Sequence, residues 1–160
     1  MIYTTIITGC LICSLVLVKT EEQVRVVDVI DGNTVEVKDA GGEQYTVMLN
    51  GVDAPEIGQD FGEEARKYLE KKVKGKKVRI EQSGRDRKGR WMVDIYVAND
   101  RSLNTMMVEE GMAWVGKGVD EGMELMEKAR EERKGLWALE NPEPPWIYRR
   151  KVVMKEPKSR

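Results

Sequence analysis

An α+β fold is predicted for this chain: a small five-stranded β-barrel carrying three helices, in the order βββαββαα. Three features carry that expectation. β-Rich runs come first, amphipathic helical runs come later, and turn residues separate them. Val24 to Ile30, Thr34 to Lys38 and Gln44 to Val52 make the first three strands, with Asp39-Ala40-Gly41-Gly42 as the hairpin turn between the last two. Gly62 to Lys74 puts Ala65, Tyr68, Leu69 and Val73 on one helical face and ends at Gly75, a natural C-cap. Val78 to Glu81 and Trp91 to Val97 are two further strands; in the second, Trp91, Val93, Ile95 and Val97 alternate with Met92, Asp94 and Tyr96. Ser102 can cap a helix running to Gly111, and Asp120 can open another that ends before Gly135. Five short strands with helices packed on them fit a Greek-key barrel of the OB type.

This domain occupies residues 21–140. Ahead of it, Met1 to Val18 carries no charged side chain and is rich in Ile, Leu and Val, which predicts a signal peptide or a short N-terminal membrane anchor over residues 1–20. Cleavage near Thr20 and retention as an anchor both fit the pattern, and either places the domain on the extracytoplasmic side, secreted or tethered. Ile7-Thr8-Gly9-Cys10 is a weak, lipobox-like match. Behind the domain, residues 141–160 read as a Pro-rich and then basic tail.

Composition narrows the chemistry. The 160 residues include no histidine, and both cysteines, Cys10 and Cys13, lie in the leading segment. Histidine-dependent catalysis, histidine-bound zinc, disulfides and thiolate metal sites are therefore excluded from the folded part. Carboxylates, Arg, Lys, Tyr and backbone remain. The net charge of −1 conceals an uneven distribution. Residues 21–65 hold twelve acids against two bases, residues 66–90 twelve bases against three acids, and residues 141–160 six bases against two acids. An acidic lobe beside a basic one suits a hard cation together with a polyanion, although a charge run by itself is more often a solvated face.

Six motifs then occur in a fixed order: Val29-Ile30-Asp31-Gly32-Asn33-Thr34, Leu49-Asn50-Gly51-Val52-Asp53-Ala54-Pro55-Glu56, Phe61-Gly62-Glu63-Glu64-Ala65, Asp86-Arg87-Lys88-Gly89-Arg90, Glu110-Gly111-Met112-Ala113 and Gly135-Leu136-Trp137. Together they strongly resemble the staphylococcal-nuclease (thermonuclease-like) family over about residues 24–138. Pro142-Glu143-Pro144-Pro145-Trp146 resembles the closing segment of its secreted, single-domain bacterial members. The resemblance implies a five-stranded OB barrel with three helices and Ca²⁺-dependent hydrolysis of DNA and RNA phosphodiesters. Carboxylates and a carbonyl would hold the ion, and two arginines would neutralise charge in the five-coordinate transition state. By position, Asp53 would be a Ca²⁺ ligand and Ala54 would offer its backbone carbonyl. Glu56 would position the attacking water and Arg90 would be a transition-state arginine. Arg87, Lys88 and Lys117 would bind the nucleic-acid strand.

Two departures from the family pattern bear on activity. The second metal-ligand aspartate is Asn33 here, which removes a charge from the metal site. The other arginine belongs five residues before the aspartate of Asp53-Ala54-Pro55-Glu56, where Met48 stands, and a thioether cannot donate to a phosphate. Tyr45, Val47 and Leu49 form one face of that strand and Thr46, Met48 and Asn50 the other, which should face the site. The family's base-stacking tyrosines are matched by Lys88, Lys117 and Val119, so charge replaces stacking. Trp114, beside the Glu110-Gly111-Met112-Ala113 motif, fits helix-end packing at least as well as base stacking. The expectation is a nucleic-acid-directed domain with weak or lost Ca²⁺-dependent hydrolysis. The alternative is a non-catalytic polyanion-binding or protein-interaction module on the same fold.

Overall fold

Strand alternation directs two or three aliphatic side chains per strand into one interior. The computed structural model, which describes residues 21–116, 118–120 and 122–155, shows how they meet. β1 (Glu21–Val29), β2 (Thr34–Lys38) and β3 (Gln44–Leu49) form an antiparallel meander. After the two-residue β4 (Val52–Asp53) and helix α1 (Gly62–Val73), β5 (Lys77–Arg85) pairs with β1, and β6 (Trp91–Val97) pairs with β5. Parallel pairing of β3 with β6, Val47 to Trp91 and Leu49 to Val93, closes the sheet into a five-stranded barrel. The predicted fold class is therefore the observed one.

Val24, Val26, Val35, Val37, Val47, Leu49, Ile80, Val93 and Ile95 are buried inside the barrel. In β1 the buried positions shift from even to odd between Val26 and Val29. The register with β2 slips between Val26 and Asp28, a bulge that turns the strand so that Val29 points inward again. Ala65, Leu69 and Val73 of α1 complete the core on the predicted face, and each large aliphatic side chain so enclosed contributes about 1.5–3 kcal/mol.

A second cluster lies outside the barrel. The short β7 (Arg101–Ser102) leads into α2 (Leu103–Glu109), capped by Ser102 Oγ accepting from Thr105 N at 3.3 Å. β8 (Trp114–Val115) pairs with β4, setting Asp53 opposite Trp114. α3 (Met123–Glu131) starts after Gly122, three residues beyond Asp120, whose carbonyl accepts from Met123 N instead of the side chain capping the helix. Gly135 begins a 3-10 turn through Ala138 that packs on Gly111, with Leu136 N donating to Gly111 O at 2.9 Å. Both glycines have positive φ and approach so closely that a side chain on either would collide with the other segment's backbone.

The fold departs from expectation at its C-terminus. Residues 141–160, read as a tail, contain a further helix, α4 (Pro145–Lys155), so the described residues hold four α-helices and not three. Pro145 occupies a first-turn position that tolerates a missing N–H. Among the described residues no helix is long and apolar enough to cross a membrane. The leader or anchor expected over residues 1–20, with its cysteines, lies outside the described residues.

Candidate functional site

The first three motifs converge because glycine allows it. A Cβ on Gly32, in the β1–β2 turn, would lie 2.6 Å from Ala54 Cβ and 2.8 Å from Ala65 Cβ, so the turn, the β4 segment and α1 touch at a point with no room for a side chain. Asp31 Oδ1 accepts from Asn33 N at 2.9 Å and shapes that turn.

The convergence borders a cavity of about 530 Å³. Asp31, Asn33, Met48, Asp53, Glu56, Asp86, Lys88, Arg90, Met92 and Val119 all line it, together with Arg149 of α4. Of the residues singled out from the sequence, the fold thus brings Asn33, Met48, Asp53, Glu56, Lys88 and Arg90 to one place. Ala54 lies beneath, buried against the Gly32 turn. Arg87 is exposed on the loop outside the cavity lining, and Lys117 lies outside the described residues.

Met48 sits as strand alternation requires. Val47 and Leu49 are buried in the barrel, while Met48 looks into the cavity beside Met92, its register partner across the β3–β6 pair. Two thioethers therefore form part of a floor otherwise surrounded by charge.

Asn33 is only 8% exposed and serves as a stitch. Its Nδ2 donates to Val52 O at 3.4 Å, and its Oδ1 accepts from Thr34 Oγ1 at 3.3 Å. An aspartate here would set a carboxylate oxygen against the Val52 carbonyl. Asn33→Asp is therefore expected to lower stability near neutral pH by about 1–3 kcal/mol, the cost of a buried acceptor facing an acceptor. The loss should recover as acid protonates the new carboxyl and restores a donor. Urea unfolding at the two pH values measures it, and an unchanged midpoint would show that the stitch contributes nothing.

Arg90 is held by its own loop. Its Nε donates to Asp86 Oδ2 at 2.9 Å and its Nη2 lies 2.7 Å from the same oxygen, while Asp86 Oδ1 accepts from the backbone N–H of Lys88 and Arg90. Burial resists ionisation of Asp86, but the bonds from Arg90 and the two backbone N–H groups outweigh it and hold the carboxyl below its usual value. The latch is therefore intact above the ordinary aspartate range and weakens as pH falls below it.

The feature that sequence reasoning missed is Arg149. Its Nη1 donates to Asp53 Oδ1 at 2.9 Å and to Glu56 Oε1 at 2.7 Å, and its Nη2 donates to Asp53 Oδ2 at 2.8 Å. The hydrogen bonds that the guanidinium donates to Asp53, and then to Glu56, raise its already high pKa and outweigh partial burial, so it stays charged. The helix that carries it is anchored on three sides. Trp146, one turn earlier, packs edge-on against Trp114 with ring centroids 5.7 Å apart. Tyr148 OH donates to Gly58 O at 3.1 Å, and Gln59 Nε2 donates to Glu143 O at 2.5 Å. Because Asp53 faces Trp114 across β4 and β8, and residues three apart share a helix face, seating Trp146 on Trp114 also seats Arg149 on Asp53. The available signal was the basic excess after Pro144-Pro145-Trp146, which without three-dimensional information reads as a solvated tail.

This donor set does not suit the divalent ion that the resemblance implies. A calcium ion takes six to eight oxygens. Here both Asp53 oxygens and one Glu56 oxygen receive N–H donors, and the amide of Asn33 is committed to Val52 and Thr34. As arranged, the pair holds a guanidinium.

A closed OB-type barrel with carboxylates and guanidinium groups converging beside the β3–β4 junction defines a nuclease-type domain. The chain belongs to the staphylococcal nuclease family: residues 46–139 match the family model described as staphylococcal nuclease homologue. It is 37% identical over 128 residues to an "Uncharacterized endonuclease" of Escherichia coli, covering 78% of this chain and 83% of that protein. An "Uncharacterized endonuclease" of Haemophilus influenzae is 36% identical over 129 residues, covering 79% of this chain and 72% of that protein. "Staphylococcal-like nuclease CAN1" of Arabidopsis thaliana is 37% identical over 111 residues, covering 68% of this chain and 34% of the plant protein.

Proposed function

We propose that this domain binds nucleic acid across the charged cavity and that its Ca²⁺-dependent phosphodiester hydrolysis is weak or lost. The observation that carries this reading is the closure of Asp53 and Glu56 on Arg149, beside a floor where Met48 stands in the family's arginine position. Arg90, oriented by Asp86, would meet a phosphate, and Lys88, Arg87 and Lys117 would follow the strand on either side. Such contacts hold a backbone without reading bases. Residual cutting, where present, would rest on Glu56, Asp53 and Arg90, which share the cavity. We also place the domain on the extracytoplasmic side, on the strength of the uncharged Met1–Val18 run; recovery of the full-length chain in the cytosolic fraction would exclude this.

The test is to incubate residues 21–160 with supercoiled plasmid and with RNA, in calcium or in chelator, and to measure salt-dependent binding in parallel. Binding that weakens steeply with salt, with little nicking, is expected. Rapid calcium-dependent cutting that disappears in Arg90→Ala would overturn the reading in favour of an efficient nuclease, and absence of binding at low salt would overturn it altogether.

A further inference from the structure

We propose that Arg149 is a phosphate-binding residue of this cavity: held by Asp53 and Glu56, it gives the site a second guanidinium, and with Arg90 it grips a phosphodiester without a divalent cation. The inference rests on the reading of the cavity as a nucleic-acid site.

The argument begins with donor counting. A guanidinium has five N–H groups in a fixed plane. The bonds to Asp53 and Glu56 use both N–H groups of Nη1 and one of Nη2. The Nε–H and the remaining Nη2–H lie side by side on one edge of the plane, and among the described residues no hydrogen bond engages them. That edge is an intact fork of the kind that binds phosphate bidentately. The carboxylates on the opposite edge fix the plane, so little side-chain freedom remains to be lost on binding.

Location supplies the second step. Arg149, Arg90 and Lys88 line the same cavity, and the thioethers of Met48 and Met92 offer its floor no competing donor. Arg149 also neutralises charge that would otherwise repel a phosphate. With the guanidinium absent, Asp53 and Glu56 would face an incoming anion with two uncompensated negative charges, only 16% and 34% exposed respectively. In the metal-dependent scheme implied by the family resemblance, a divalent ion offsets those carboxylates. Here a side chain delivered by α4 does so from within the chain.

The role differs from that of a transition-state arginine. A guanidinium that holds substrate and transition state equally well raises affinity without raising turnover. Arg149 therefore fits a site that binds strongly and cuts weakly.

The experiment measures binding of a short fluorescent single-stranded oligonucleotide to the chain from residue 21 onward, in chelator, across a salt series. Wild type is compared with Arg149→Gln, Arg149→Lys and Arg150→Gln. The last removes the same charge from the next, exposed position of the same helix, outside the cavity lining. Arg149→Gln should weaken binding by about 10- to 100-fold, the loss of a charge-assisted bidentate contact. It should also flatten the salt dependence by about 0.7 of a log unit per log unit of salt, the slope of one phosphate contact on a single strand. Arg149→Lys should fall between, because it keeps the charge and loses the fork, and Arg150→Gln should stay near wild type. An Arg149→Gln variant that binds like Arg150→Gln, or more tightly than wild type, would overturn the inference; the tighter case would make Arg149 a plug and not a ligand. Wild type that binds no oligonucleotide at low salt would instead bring down the nucleic-acid reading, and this inference with it. Far-ultraviolet circular dichroism and limited proteolysis at α4 guard against unfolding. An α4 that stays docked while affinity falls supports direct phosphate binding, whereas affinity lost only in step with undocking of α4 would overturn it.

Discussion

Met48→Arg is expected to raise the rate of phosphodiester cleavage by about 10²- to 10³-fold, the scale set by adding or removing one preorganised donor to a charge-accumulating transition state. Position 48 is suited to the change because β3 turns this side chain into the cavity while Val47 and Leu49 hold the strand in the core. The new guanidinium would enter from β3, the neighbour of β6, which begins right after Arg90, so two donors could converge on one phosphate. Adding Arg149→Gln should weaken oligonucleotide binding, because it removes the guanidinium that offsets Asp53 and Glu56. The two effects share partners and should not be additive. The measurement is single-turnover cleavage of a labelled oligonucleotide with calcium, comparing wild type, Met48→Arg, the double variant and an Arg90→Ala control. A Met48→Arg protein that folds, binds and cuts no faster than wild type would show that position 48 does not meet the reacting phosphate.

Trp114→Ala is expected to lower unfolding free energy by about 3–5 kcal/mol, the usual cost of emptying a buried tryptophan site. Trp114 is 8% exposed and lies between Trp137, with ring centroids 4.3 Å apart, and Trp146. Its loss removes the surface on which α4 is seated, so it should also withdraw Arg149 from Asp53. The expected signature is a lower urea midpoint together with early hydrogen exchange in α4, ahead of global unfolding. Trp114→Phe should cost much less. It keeps most of the packing and removes an indole N–H that is buried without a hydrogen-bond partner among the described residues. Equal losses for Ala and Phe would mean that ring packing is not what Trp114 contributes.

The barrel was largely legible in the sequence because it is built from local periodicity. Alternation in Gln44–Leu49 and Trp91–Val97 identified the inward faces, and the i, i+4, i+8 pattern of Ala65, Leu69 and Val73 identified the buried side of α1. The slip in β1 escaped notice, since a bulge moves an inward face by one residue without leaving a compositional mark. Buried polar clips were equally hidden. Asn104, 5% exposed, donates to Asn50 O and Val93 O and accepts from Ile95 N, fixing where β3 ends at the cavity. A lone asparagine in a helical run gives no sign of such a task.

By itself the sequence determined the strand and helix periodicity, the absence of histidine, and the departures at Asn33 and Met48. Each of these depends on side-chain identity and short-range spacing. Only the tertiary structure decided that the basic segment after the domain is part of the site. Arg149 meets Asp53 across 96 positions of chain because a helix seats one tryptophan on another and carries the arginine one turn further, and that coincidence of surfaces is a property of packing.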